Sequence, residues 1–437
     1  MRLLQTVLLF LMIWLEGMAP LGAQTGYRPP NELGEPRFAI EAATFRSDQA
    51  GMDLLEVYYK VFYDGVSYQK SVDGYRADYE VAVIVEGPDG VQLEGTTRQG
   101  QIKAKTFAET RSAADFVINI IKIPVASQDV TIRAILTDKL ANTSTEVRKT
   151  LKRRDYWGKF PSLSRVEFAR EMAPASGDSK FNRGETRIIP SVTRLFGGDF
   201  DTLLRYYQEI YPGDTKDKSY RLIYRIYHRT RGTVHADTVN LGDLSGVQRE
   251  ICTVGVADIH PGDYELDIRL EGRRGRVYDR LIEEFELELT AETIFRNDYE
   301  MAVEMLKYLA SGDDINKLKK AKTPQYRRQV WDEYWRLREA QSHDREHPDK
   351  VEYFRRIRHA NRYFSFMKKD GWKTSCGMVY ISYGEPDEVD DHPFELATKP
   401  YQVWNYYRSN PVRSFYFVDE WGDGDYELQP PGDGVGN

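Results

Sequence analysis

His343 and His347 stand four residues apart in His343-Asp344-Arg345-Glu346-His347, a spacing that on one helix face puts two imidazoles within reach of one zinc ion. Pro348 comes at once after them, the segment is polar, and no spacing supplies a third ligand. The glutamate is also misplaced for a His-Glu-x-x-His metalloprotease, so the segment reads as a solvated loop between helices. Cys376 has His359 and His392 near it in sequence, the residue types of a Cys/His nucleophile, but a buried thiol beside a strand is the favoured reading. Asp387, Glu388, Asp390 and Asp391 form one acidic turn. Asp419 to Glu427 has the composition of a calcium loop, yet it lacks the twelve-residue EF-hand spacing. Its Asp-Gly pairs favour a hairpin turn instead. Gly-x-Ser-x-Gly and phosphate-loop motifs are missing, and no Ser-x-x-Lys occurs with its companion motifs. The sequence thus specifies no catalytic residue, no metal and no cofactor.

Tryptophans offer a different chemistry. Beyond the first 23 residues they are Trp157, Trp331, Trp335, Trp372, Trp404 and Trp421, five of them in the last third of the chain. Their size suits either a core or an exposed docking patch. Trp372 and Trp404 are expected in the core, and Trp421, in its acidic glycine-rich turn, is the candidate surface aromatic.

Two kinds of element must carry these residues. From Arg37 to about Arg154, and again from Leu163 to about Thr290, short β-branched and aromatic runs alternate with Gly, Asp and Pro turns, which predicts antiparallel sheets. In Tyr264-Glu265-Leu266-Asp267-Ile268-Arg269-Leu270 the alternation is strict. No helical pattern intervenes, so crossover-linked parallel strands are not expected. Arg153 to Lys159 looks like a linker. From Thr293 the period changes to helical: Phe295, Tyr299, Ala302, Leu306 and Leu309; then Tyr326, Val330, Tyr334 and Leu337 after Thr323-Pro324; then Tyr353, Ile357, Ala360, Phe364 and Met367, with Gly371 as terminator. Three strands are predicted after it, Met378 to Tyr383, Gln402 to Tyr407 and Ser414 to Val418.

The start of the chain, one arginine and an apolar run from Val7 to Leu15 before Leu21-Gly22-Ala23, predicts a signal peptide cleaved after Ala23. The run is well short of the ~20 residues that span a bilayer, and no later segment approaches that length. A net charge of −7 gives no electrostatic pull toward nucleic acid. Cys252 and Cys376, the two cysteines, are expected to be free thiols. Charge divides the last region: residues 316–369 carry 16 Lys and Arg against 7 Asp and Glu, and residues 370–437 carry 4 against 13. Basic helices packed beside an acidic β-segment account for this.

Gly371-Trp372-Lys373-Thr374-Ser375 resembles the motif of the GWxTD-domain proteins, bacterial exported proteins of unestablished activity. Arg355, Ala360-Asn361 and Phe364 before it resemble the family's preceding helix. Gly384-Glu385-Pro386-Asp387-Glu388, Tyr401 to Tyr406 and Phe415 to Asp419 resemble the family's segments C-terminal to the motif. Leu54 to Tyr59, Tyr206 to Tyr211 and Gly262 to Leu266 extend the resemblance into the first half of the chain. One position departs: the family's aspartate is Ser375 here. A catalytic carboxylate at that place is therefore missing, and the motif reads as structural, with Gly371 supplying backbone freedom, Trp372 burying apolar area and Thr374 capping a turn.

Together these readings predict a mainly β, multidomain chain. Residues 1–23 are a signal peptide and 24–36 a linker. Immunoglobulin-like sandwiches come next at 37–155 and 160–290, then a helical and α+β module at 293–428 and a disordered tail at 429–437. The expected function is that of an exported, periplasmic or extracellular envelope protein that binds another protein or a surface polymer without catalysis. Gly371, Trp372, Thr374, Ser375, Gly384, Pro386, Asp387 and Trp404 are its structural or docking motif. The alternative is an exported hydrolase with a site between the helical region and residues 371–392.

Overall fold

The computed structural model describes residues 36–112, 115–198, 201–340, 346–393 and 399–430. The expected signal segment, His343 and residues 431–437 of the tail lie outside the described residues. The chain is mainly β, and it divides into two compact units, Asn31–Asn297 and Asp298–Asn437.

The first unit holds two sandwiches. In the first, the strands Phe38–Arg46, Met52–Phe62 and Phe116–Ala126 form one antiparallel sheet. It faces a five-stranded sheet whose centre is Gly74–Glu86 and Val130–Asp138. Alternate residues interdigitate between the two, with Leu55, Val57, Tyr59 and Val61 meeting Val81, Val83, Ile132 and Ala134 in one core. The second sandwich repeats this plan. A six-stranded sheet around Leu203–Tyr211 packs on a five-stranded sheet of Tyr220–His228, Gly232–Gly242, Gly262–Glu271, Val277–Leu287 and Leu195–Phe196. Pairing is antiparallel throughout, apart from Leu195–Phe196 beside Val277–Leu287.

Two strands in this unit lack alternation for a physical reason. Met52–Phe62 and Leu203–Tyr211 each lie in a sheet covered on both faces. One face joins its own sandwich core, and the other joins a third cluster of Ala43, Phe45, Tyr58, Ala169, Ile188, Val192 and Tyr207 that binds the sandwiches together. Charge is buried at this junction. Arg183 donates to Glu56 Oε1 at 2.9 Å and to Glu167 Oε2 at 3.0 Å, while Tyr58 Oη donates to Glu56 at 2.8 Å. Arg194 bridges Glu41 (2.5 Å) and Glu283 (2.8 Å). The segment between the sandwiches is pinned as well. Tyr156 is buried with its hydroxyl on the Thr44 carbonyl at 2.8 Å, and Trp157 Nε1 donates to the Met52 carbonyl at 3.0 Å.

The second unit is helical and then β. Helices Tyr299–Met305, Gly312–Lys320, Pro324–Glu339 and Lys350–Phe364 precede the motif. Thr323 accepts from the Tyr326 amide and Asp349 from the Glu352 amide, so each of the two longer helices starts on a side-chain cap. A four-stranded antiparallel meander, Glu388–His392, Tyr401–Tyr406, Arg413–Asp419 and Tyr426–Leu428, closes the unit. Three expectations are corrected here. Residues predicted as a strand from Met378 to Tyr383 belong to a helix, Ser375–Tyr383. The preceding helix ends at Phe364, so Gly371 does not terminate it. In Pro324–Glu339 the inward face is Val330, Trp331 and Trp335, whereas Tyr326 and Leu337 are exposed. Among the described residues no helix is long and apolar enough to cross a membrane.

Candidate functional site

The Gly-Trp-x-Thr segment is a knot of backbone contacts. A Cβ on Gly371 would lie 1.8 Å from the Ala360 carbonyl oxygen and 2.8 Å from Asn361 Cα, so only glycine lets this turn rest on the Lys350–Phe364 helix. Ser365 Oγ accepts from the Gly371 amide at 2.9 Å, and Asn361 Oδ1 from the Trp372 amide at 3.0 Å. Gly377 repeats the constraint, because its Cβ would fall 1.8 Å from the Gly371 carbonyl oxygen. Thr374 links the two glycines: its hydroxyl donates to the Gly371 carbonyl at 2.8 Å and accepts from the Gly377 amide at 3.1 Å. It is therefore the N-cap of the Ser375–Tyr383 helix, where the sequence suggested a cap onto a strand.

Around the knot the large side chains are interior. Trp372 and Trp404 are fully buried. Tyr308 Oη donates to the Trp372 carbonyl at 2.9 Å, and the Lys307 ammonium lies 4.6 Å from the Trp372 ring centre. Trp404 packs on Phe364 and Phe417, and its Nε1 donates to Gln402 at 3.1 Å. Ser375 is the first helical residue, half-buried, at the positive end of a helix dipole. A family preference for aspartate there is explained by that dipole without any reaction.

Gly384 ends this helix at φ 77°, and Tyr406 Oη donates to its carbonyl at 2.9 Å. Buried Pro386 then leads to Asp387, whose carboxylate accepts from Arg408 Nε at 2.6 Å and from the Arg408 amide at 3.0 Å. The chemically suggestive groups are engaged separately. Burial pushes the Cys376 thiol up, with Asp425 adding to it, and Sγ points at the Tyr426 carbonyl at 3.9 Å. His359 stacks on Tyr380 at 4.1 Å, and burial, then Arg355 and Arg362, push it down to about 3. His392 stacks on Tyr401 at 4.3 Å and meets Asp390 at 2.9 Å. The Cys376 and Cys252 thiols are free.

Trp421 occupies a different setting. It is 86% exposed on the turn between Arg413–Asp419 and Tyr426–Leu428. Asp419, buried beneath that turn, accepts from four successive amides: Trp421 at 3.3 Å, Gly422 at 2.8 Å, Asp423 at 3.1 Å and Gly424 at 2.8 Å. The exposed ring thus stands on a backbone that is already fixed. Sequence reasoning missed Asp419 as the organiser, and it placed Met367 on the apolar stripe of a helix that in fact ends at Phe364. Met367 is also 86% exposed, at φ 47° in a tight turn closed by reciprocal Phe366 and Lys369 amide–carbonyl bonds of 3.0 and 2.8 Å. Lys369 meets Asp425 at 3.6 Å, which ties the Met367 turn to the Trp421 turn and joins the basic and acidic halves of the unit.

Residues 293–429 match the model of the GWxTD domain. This chain carries a GWxTD domain. No curated protein matches the chain. Among solved structures it is similar to red sea bream transglutaminase, at 9% identity over 57% of this chain and 31% of that one, with a TM-score of 0.19. It is also similar to a glycosyl hydrolase family 2 member from Bacteroides cellulosilyticus, at 9% identity over 54% and 27%, with a TM-score of 0.22. The chain spans about a third or less of the length of these proteins, and nothing about activity passes from them to it. Within the GWxTD domain, Gly371, Trp372 and Thr374 build the interior, and Trp421 and Met367 are presented outward.

Proposed function

We propose that this chain is an exported envelope protein that works by binding, and that its GWxTD domain docks an envelope protein or surface polymer through Trp421. The observation that supports this is a tryptophan at 86% exposure on a turn clamped by the four amide bonds to Asp419. Because the backbone of the turn is fixed beforehand, binding has only the Trp421 side chain left to order, at about 0.5–1.5 kcal/mol. Tryptophan is also among the residues most enriched at binding hot spots. Asp423 and Glu427 are exposed on the same turn and strand, which suits a partner with basic groups.

The test is photo-cross-linking from position 367 in cells producing the tagged full chain, with and without Trp421→Ala. One reproducible partner is expected for the parent and its loss in the variant, with the melting temperature of the two proteins equal within about 2 °C. Identical products from both, or none from either, refute docking through this turn.

A further inference from the structure

A second interaction surface belongs to the first sandwich and is independent of docking through Trp421. The strand Gln92–Ala104 is an edge: it pairs with Gly74–Glu86 on one side, and among the described residues no strand lies on the other. Native edges are blunted against pairing by prolines, bulges or charges. Phe116–Ala126 holds Pro124, and Gly232–Gly242 is interrupted twice in its register with Tyr220–His228. Gln92–Ala104 has neither device. Its residues from Glu94 to Ala104 run opposite Val85 to Tyr75 without a shift.

The direction of its backbone groups follows from the neighbouring strand. The Asp78 carbonyl accepts from the Lys139 amide at 3.1 Å, on the side of Val130–Asp138. Successive residues of a strand aim their N–H and C=O at opposite sides, so the odd residues of Gly74–Glu86 bond toward Gln92–Ala104. Tyr79 lies opposite Gly100 and Val83 opposite Thr96, which engages the even residues of the edge strand. Leu93, Gly95, Thr97 and Gln99 therefore present N–H and C=O to the open side.

Side chains select what can pair there. Glu94, Thr96 and Arg98 share one face, opposite Val85, Val83 and Val81. The sheet across the core has three strands against five, and it leaves Glu94 and Arg98 exposed and Thr96 half-buried. Arg98 donates to Thr96 Oγ1 at 3.0 Å and to the Thr97 carbonyl at 3.1 Å, and neither Glu94 nor Arg98 has an ion-pair partner among the described residues. A lone charge on an edge would oppose pairing. Here two opposite charges stand two residues either side of Thr96, so a two-fold axis at Thr96 sets Glu94 of each copy against Arg98 of the other. The same axis sets Leu93 against Gln99 and Gly95 against Thr97, the residues whose backbone groups face outward.

We infer that a second copy of this chain binds at this edge, with residues 92–100 of the two copies paired antiparallel about a two-fold axis at Thr96. The two five-stranded sheets then become one. So short an overlap makes a small interface, of the transient class.

Sedimentation equilibrium of the full chain between about 1 and 500 µM tests this, with reversible dimerisation expected in that range. Glu94→Arg or Arg98→Glu alone should weaken the dimer by about tenfold or more, because each sets like charges opposite one another twice. The double exchange, Glu94→Arg with Arg98→Glu, should restore it to within about threefold. Both side chains are exposed, so each variant should melt within about 2 °C of the parent. In the paired register the two Thr96 Cα atoms lie ~4.5 Å apart, within disulfide reach. Thr96→Cys should therefore cross-link on mild oxidation, and Thr97→Cys, which faces Gly95, should not. The inference is overturned if the full chain stays monomeric at about 500 µM. It is equally overturned if the double exchange dimerises no better than either single variant, or if Thr97→Cys cross-links as readily as Thr96→Cys.

Discussion

Gly371→Ala isolates the claim that the motif glycine exists for close approach. The glycine has no positive φ to protect, so the substitution leaves backbone preference almost untouched. The change is one methyl group, placed 1.8 Å from the Ala360 oxygen and 2.5 Å from its carbon. Both are backbone atoms of a helix and cannot swing aside. An ordinary contact needs more than 3 Å, so the turn must lift off the helix by more than 1 Å. That displacement stretches the bonds from Gly371 to Ser365 (2.9 Å) and from Trp372 to Asn361 (3.0 Å). Overpacking costs about 1–3 kcal/mol, and each weakened bond adds about 0.5–1.5 kcal/mol at most. The expected loss is about 3–5 kcal/mol, or roughly 10–15 °C in a unit of this size. Tryptophan fluorescence reads it directly, because five of the six described tryptophans lie in that unit. Gly312→Ala is the control. Nothing lies within 4 Å of its Cβ, and a rise of up to about 3 °C is expected from the lower entropy of the unfolded chain. If Gly371→Ala melts within about 2 °C of the parent, the motif glycine does not serve close packing.

Thr374→Val should lower the same transition by about 1–2 kcal/mol, since both Gly371 O and Gly377 N lose their partner, while Thr374→Ser should restore most of it in thermal melts. Ser375→Asp, which installs the family's carboxylate at the helix start, should raise stability by about 0.3–1 kcal/mol in low salt and less at 1 M NaCl. In the first unit, burial chiefly pushes the Glu167 carboxyl up to about 7, with Glu56 adding to the rise and Arg183 opposing it. The folded state therefore holds that proton more tightly than the unfolded state does. Stability from this group falls as pH rises from about 4.5 to about 7 and then levels off. Glu167→Gln cannot ionise, so in urea titrations its stability relative to the parent should increase between pH 5 and 7.5 by on the order of 2–3 kcal/mol. A pH-independent difference would assign the proton elsewhere.

The sandwiches were legible wherever one face met solvent. Tyr264, Leu266, Ile268 and Leu270 alternate in sequence and all lie in the core. Asp267, on the opposite face of that strand, is buried as well, between Arg269 and Arg280 at 2.7 Å each. Met52–Phe62 and Leu203–Tyr211 lack that alternation because a second face of each strand is buried where the sandwiches meet. The helix Ser375–Tyr383 was misread for a related reason. Val379, Tyr380 and Ile381 are all buried, so a short helix with interior on every side shows no 3.6-residue period, and its β-branched and aromatic residues imitate a strand.

The same physics separates the residues that make a motif conspicuous from the place proposed for binding. Gly371, Trp372 and Thr374 stand out in the sequence because close backbone approach, a large buried ring and a doubly bonded hydroxyl each admit few residue types. Those are demands of packing, and they leave nothing of the three exposed beyond the needs of the fold. Trp421 carries the opposite logic. Its ring is outside, so no packing demand selects it, and the residue that fixes its turn is Asp419, two positions away, through amides that composition cannot reveal. A sequence reading could find the ring because an acidic glycine-rich turn cannot bury a tryptophan. It could not find the clamp, because an aspartate that binds four amides and one that binds a metal or water look alike until the backbone around them is placed.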